Sequence, residues 1–388
     1  MTSRRHRFAQ RRKAVGFSQE GLAERLGIDR STVARWESGE TEPSPWLRPK
    51  LARALQVSVD QLDELLTEAG ASTAPADERL SYALKHPRSV DLVAVALLRD
   101  RVHDLDTRYD KAPSSSLLAD AGQCLGQASF LRTHAATSRV RRELLVVEAE
   151  AATLVGQLAW DASQRRDHAT ARAYLDRAVH AARQLHNPAA EGLALLRTGF
   201  VALYGEKNPE AGLTLTMRTV EKARHNSRVL TGLAVLHAAE AWAMLGRRQD
   251  CEQALSEAEA CFERIGNADD AADLYSPTHH GRLAGSCYLF LGDAKRAEPI
   301  LADSARALGD RPKSQAIVLG NLALARIRQQ KLDEAAATLH SAMDVIEMTW
   351  GGGGLNIVFD VGRELRPWLK VPVVQDVYDR LLTLMAAA

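Results

Sequence analysis

Apolar positions recur at helical spacing along almost the whole chain, and alternating β-branched runs are nearly absent, so the pattern predicts an all-α protein. From Glu78 onward, one apolar-faced helix follows another. SVDLVAVALLRDRVHDLDTRY (Ser89 to Tyr109) predicts a long helix stopped by KAPSSS, whose serines open the next. Beyond it a unit recurs: an apolar helix, a turn with Gly, Asp or a basic pair, an Ala, and a second apolar helix. That Ala falls at Ala171, Ala211, Ala254, Ala297 and Ala335, at intervals of 40, 43, 43 and 38 residues. A helical pair repeated at such a period predicts an α-solenoid. The small residues let paired helices approach closely, and Leu175, Leu301 and Leu339, one turn later, fill the seam.

The N-terminal pattern differs. In FSQEGLAERLGIDRSTVARWESG (Phe17 to Gly39), Ser18 is placed to cap a short helix carrying Gln19, Leu22, Ala23 and Leu26 at helical spacing. Gly27 supplies the turn and Ile28 an apolar plug; Asp29 or Arg30 opens a second helix that stops at Gly39. In that helix Val33 and Trp36 face inward, while Arg30, Ser31, Thr32 and Arg35 face out. Arginine bonds guanine bidentately and hydroxyls reach bases or phosphates, so this outer face suits a major groove of double-stranded DNA.

Helix pairs with a Gly turn also occur in bundles that never meet DNA, and charge separates the two readings. Residues 1–55 hold twelve Lys or Arg against six Asp or Glu, in a chain whose net charge is only +1. Basic charge gathered on one small module, beside an acidic remainder, is the footprint of phosphate contact. In the leading tract, Arg4 to Lys13, a solvated helix face is the alternative; Arg7 and Arg11, one turn apart beside the reading helix, favour phosphate.

The 388 residues leave room for two or three domains. The expected division is a DNA-binding domain at 1–67, a linker at 68–77 (EAGASTAPAD, small and polar), a repeat domain at 78–350 and capping helices at 351–388. Those last helices split at Val371 and Pro372, and the run Gly351 to Gly354 reads as a flexible joint rather than a ligand loop. No run of 18 or more apolar residues exists and the N-terminus is too basic and polar for a secretory signal, so no membrane contact and a cytoplasmic location are expected. Cys124, Cys251, Cys261 and Cys287 lack CxxC spacing and read as small buried hydrophobes. His279 and His280 are adjacent and so cannot share a metal-binding helix face. HExxH, GxSxG and phosphate-loop patterns are missing, so no catalytic residue, metal or cofactor is expected and the chain is not read as an enzyme.

Over residues 4–66 these features resemble the phage-repressor and Cro type of helix-turn-helix regulator. The likeness includes Arg12, Glu37 and the trailing LARALQVSVDQLDELL (Leu51 to Leu66), similar to the last two helices of that five-helix fold. It implies that Arg30, Ser31 and Arg35 reach base edges, that Gln19 touches the DNA backbone, and that Arg12 and Glu37 brace the first and third helices. With Thr32 added to the base contacts, Arg7, Arg11, Arg12, Lys13, Ser18, Gln19 and Ser38 form the expected backbone-contact set. One departure is ETEPSP (Glu40 to Pro45), where relatives often carry basic residues.

The repeats resemble tetratricopeptide repeats, although longer and without most of that motif's Trp, Tyr and Pro positions. The joined architecture is similar to actinobacterial-style regulators and to the peptide-sensing regulators of Gram-positive bacteria. That likeness implies a homodimer on a near-palindromic operator and an array whose concave face binds a peptide or small-molecule effector. Counting back from the marker alanines puts Trp160, Phe200, Tyr204, His279, Arg282, Ser286, Phe290, Leu324 and Arg328 on the concave wall, and Asn321 is a further groove residue. Packing between repeats is the alternative for the aromatics, and a hydrogen-bonded core position for Asn321. An array that docks another protein is the alternative function.

Overall fold

In a computed structural model the chain is described except at residues 1–5, 39, 45–46, 59–61, 63–64, 67–72, 267 and 388, and except for the helical side chains of 6, 7, 10, 14 and 73–77. The described residues form helices and turns with no strand. They divide into two compact units, Met1–Tyr82 and Ala83–Ala388.

The first unit starts with α1 (His6–Ala14), α2 (Gln19–Leu26), α3 (Arg30–Glu37) and α4 (Arg48–Ala54). Ser18 caps α2, its hydroxyl accepting from the Gly21 N–H at 2.9 Å. Gly27 ends it at φ 70°, a left-handed conformation that a side chain would oppose. Asp29, in extended backbone, opens α3. Phe8, Leu22, Val33, Trp36, Leu51 and Leu55 interlock as the core, with Ile28 packed at its edge. Burying each such side chain contributes about 1.5–3 kcal/mol before conformational entropy is counted. The expected fifth helix falls largely outside the described residues, but Leu62 and Leu66 do join this core. Gly39, the expected stop of α3, also lies outside them; the last helical residue is Glu37.

A helix over Thr73–Lys85 begins inside the segment read as a linker, and residues 68–72 of that segment lie outside the described ones. The second unit then runs as successive antiparallel helices from Leu92–Arg108 to Pro372–Ala387. Of the marker alanines, Ala171, Ala297 and Ala335 are fully buried, and Leu175, Leu301 and Leu339 fill the seams beside them. A Cβ on Gly156 would meet Leu175 at 3.0 Å, and one on Gly285 would meet Leu301 at 2.5 Å. The helices approach this closely because those positions carry no side chain.

The array folds back on itself. Lys313, at the start of the helix Pro312–Arg328, donates from Nζ to Ser114 Oγ at 2.8 Å and to Asp161 Oδ2 at 3.1 Å. Ser114 Oγ donates to the same carboxylate at 2.7 Å, and the Tyr109 ring lies 4.2 Å from the ammonium. The Asn356 amide donates to the Gln164 carbonyl at 3.0 Å. Early and late repeats are thereby pinned together through a buried ion pair.

The glycine run is a junction in this closure rather than the flexible joint its composition predicts. All four glycines are buried, and Gly352 opens the helix Gly352–Glu364. A Cβ would lie 2.6 Å from the Asp161 carbonyl at Gly352 and 2.3 Å from the Arg165 guanidinium at Gly353. At Gly352 backbone meets backbone directly, so a side chain there forces a shift, whereas Arg165 at Gly353 can swing aside.

Candidate functional site

Two sets of residues stand out, one in each unit. In the first, α3 is anchored by Val33 and Trp36, and the opposite face carries exposed Arg30, Ser31 and Arg35 with half-buried Thr32. Arg30 forms an exposed ion pair with Glu20 at 2.9 Å. Such a pair is worth little in water and yields readily to a phosphate or base edge. Lys13 is exposed, and the Ser38 hydroxyl donates to the Arg35 carbonyl at 3.0 Å. Gln19, half-buried, donates to Glu37 Oε2 at 2.6 Å.

Two expected phosphate contacts are corrected by their surroundings. Arg12 is buried, donating from Nε to Glu37 Oε1 at 2.7 Å and from Nη1 to the Phe17 carbonyl at 2.5 Å. It acts as the brace between α1 and α3, and a guanidinium withdrawn from water in this way does not reach a backbone. Arg11 donates from Nε to the Leu55 carbonyl at 2.8 Å and from Nη2 to Gln56 O at 2.6 Å. It satisfies the carbonyls at the end of α4, which a helix terminus leaves open. The Arg7 side chain lies outside the described residues.

In the second unit, some of the residues expected on the concave wall lie close together. Trp160, Phe200 and Tyr204 pack in one cluster, and Phe200 and Tyr204 both contact the His237 ring. Tyr204 sits in a single wide π-type turn, Val201–Gly205, that continues the helix Pro188–Phe200. Turns of this kind recur at functional sites because they re-aim a side chain. The Tyr204 hydroxyl donates to Glu240 and lies 2.5 Å from His237 Nδ1. His279 and Arg282 come from the helix Thr278–Phe290, and Arg282 donates to Ser314 Oγ at 3.0 Å.

Burial sets the charge states. Desolvation, reinforced by Arg282, His237, Arg311 and Arg197, pushes His279 down to about 2. His237 is likewise lowered by burial, against the pull of Glu240. Both imidazoles are neutral at physiological pH. Burial raises Asp110 above the usual carboxylate range and lowers Arg282 and Lys313.

Phe290, Asn321 and Arg328 do not join this cluster among the described residues. Phe290 is exposed at the end of its helix, and Arg328 donates to the neighbouring Leu289 carbonyl at 2.5 Å. Conversely, sequence reasoning passed over Arg197, His237 and Glu240. A signal existed. In LAVLHAAEAWAM, His237 and Glu240 interrupt a helix that is buried from Val229 to Ala241, and a buried polar pair in such a helix must find partners.

Comparison with known proteins bears on the first unit. The helix-turn-helix family profile matches residues 8–62. Over 58 residues, 15% of this chain, the sequence is 36% identical to the cryptic phage CTXphi transcriptional repressor RstR of Vibrio cholerae and spans 52% of it. Over 46 residues, 12% of this chain, it is 46% identical to an HTH-type transcriptional regulator of Methanothermobacter thermautotrophicus and spans 67% of that protein. The chain thus covers only half to two thirds of these relatives, and they match little beyond its first domain. Among solved structures, Bacillus thuringiensis PlcR, in complex with the peptide PapR7 and DNA, aligns over 68% of this chain and 95% of its own, at 14% identity and a TM-score of 0.31. Reading helix, brace and matched relatives agree: through its first domain this chain belongs to the DNA-binding helix-turn-helix transcriptional regulators.

Proposed function

We propose that the chain is a sequence-specific cytoplasmic regulator that binds a near-palindromic operator as a homodimer, with residues 1–67 reading DNA and a repeat domain at 78–350 sensing a small effector. The observation that carries the DNA half is the face of α3: Val33 and Trp36 fix the helix while Arg30, Ser31 and Arg35 stay at the surface. In a dimer, two such helices occupy major grooves about 34 Å apart. The sensing half is supported by the polar cluster of Tyr204, His237, Glu240 and Arg282, which an array serving only as a spacer would not need. Effector binding shifts the population of DNA-competent molecules by its differential affinity for the two states.

Selection of bound fragments from genomic DNA, with and without small-molecule cell extract, tests both halves. The expected result is a two-fold symmetric site whose occupancy changes with extract. Recovery of unenriched random fragments overturns operator recognition. An extract-independent yield, together with a stoichiometric protein captured on the array, overturns sensing in favour of protein docking.

A further inference from the structure

The interior of the repeat array carries more positive charge than its own carboxylates answer. Arg197 packs beside Phe200, its Cζ 5.4 Å from the ring centroid, and its buried Nε has no hydrogen-bond partner. Arg282 has the Ser314 hydroxyl as its hydrogen-bond partner and forms no ion pair within 4.0 Å among the described residues. The nearby acids Glu240 and Asp110 act on Arg282 through space, without a direct ion pair. Glu240 accepts from Tyr204 and faces His237 at 3.2 Å, and Asp161 holds Lys313 and Ser114. Asp110 accepts from Ser314 at 3.3 Å through one oxygen, and its other oxygen is buried without a partner. Arg311 adds a further positive charge felt by both Asp110 and His279.

A second observation points the same way. The Trp160 indole N–H is buried with no acceptor, although its ring belongs to the same cluster as Phe200 and Tyr204. Of the five buried side-chain atoms without a hydrogen bond among the described residues, three belong to Asp110, Trp160 and Arg197; a fourth, Arg165 Nε, keeps an ion pair to Asp161 at 3.8 Å. Arg165 lies over the Trp160 ring, 4.7 Å from its centroid. A buried donor without a partner costs free energy, and an unanswered buried charge costs more, so a cluster of them marks groups that a bound molecule satisfies. Arg197, Phe200, Tyr204 and Arg282 are half-buried rather than sealed, so solvent reaches the site.

We propose that this interior binds a small organic acid, its carboxylate or phosphate held between Arg197 and Arg282, its apolar body against Phe200 and Trp160, and an acceptor atom on the Trp160 indole N–H. The inference rests on the sensing role proposed above and narrows it to an anionic ligand. Guanidinium–carboxylate hydrogen bonds are charge-assisted, and they strengthen as a ligand displaces water from a half-buried site. The closure of the array through Lys313 and Asp161 favours a compact ligand over an extended chain.

Calorimetric titration of the full chain with phenylacetate, its neutral isostere phenylacetamide and inorganic phosphate tests the assignment. Saturable binding of phenylacetate or phosphate is expected, with phenylacetamide inert. Arg197→Gln and Arg282→Gln should each weaken binding by about tenfold or more, and Arg197→Lys by less, since it keeps the charge but not the planar fork. Equal binding of the acid and the amide, no binding of either anion, or unchanged affinity in Arg197→Gln would overturn the proposal. Gel shift on selected operator fragments separates this result from the DNA reading. An Arg197→Gln chain that still shifts DNA but has lost phenylacetate supports the site and shows that the variant folds. A wild-type chain that binds phenylacetate but no DNA supports the site and overturns gene control.

Discussion

Arg35 shows how one residue divides between structure and recognition. Val33 and Trp36 on either side of it pack into the core, while its own side chain stays at the surface of α3. Arg35→Ala should therefore leave the thermal midpoint unchanged, weaken operator binding by about 1–3 kcal/mol and relax base preference at one position. Equal losses on operator and random DNA would make Arg35 a phosphate contact instead. His279 and His237 make the opposite choice, each kept neutral by burial. Their folded values lie below the ordinary 6.5, so the unfolded chain binds more protons as pH falls. The stability tied to these neutral imidazoles is fully present above pH 6.5 and declines on acidification, for His279 with a slope that approaches about 1.4 kcal/mol per pH unit below 6.5. Urea midpoints across this range check the slope, and His279→Asn should reduce it. The surface arginines of α3 were readable from sequence because amphipathic spacing alone sets their direction. The Arg12–Glu37 brace was legible only through the family resemblance, and the tethering of Arg11 not at all, because it depends on carbonyls supplied by a distant element.

At the scale of elements, helix identity followed from local signals and helix role did not. The pairs opened by Ala171 and Ala297 lie where the period puts them, capped by Asp167 and Asp293, whose carboxylates accept from Thr170 N–H and Arg296 N–H. The run Gly351 to Gly354 shows the limit of composition, because glycine serves flexibility and close approach equally well, and only the neighbours tell which. Gly352→Ala decides between them here. Helix propensity alone would stabilise the chain by about 1 kcal/mol, whereas collision with the Asp161 carbonyl should destabilise it by about 1–3 kcal/mol. Equilibrium denaturation gives the sign, and a more stable variant would restore the flexible-joint reading. The wide turn that carries Tyr204 had no sequence signature, since a π-type turn is a response to packing.

Over the repeat unit as a whole, closure rests on a buried pair whose members are 152 residues apart. Lys313→Met leaves the buried Asp161 carboxylate with Ser114 and only the longer pair to Arg165 at 3.8 Å, and should cost about 3 kcal/mol. The double variant Asp161→Asn/Lys313→Met should recover much of that loss, because a neutral amide needs no counter-charge. Hydrogen exchange over Gly352–Glu364 should rise in the single variant and fall back in the double. Protection that stays unchanged in both would mean that apolar packing alone holds the ends together.

The sequence by itself determined the helices, the repeat period and the outward face of the reading helix, because spacing, caps and charge act within a few turns of chain. Tertiary structure alone decided that Tyr204, His237 and Glu240 meet between helices far apart in the chain, with Arg282 close enough to act on them, and that four glycines are buried where Gly352 meets the Asp161 carbonyl. Both depend on the accumulated register of successive helix pairs, where a fraction of a turn per repeat decides which side chains face each other.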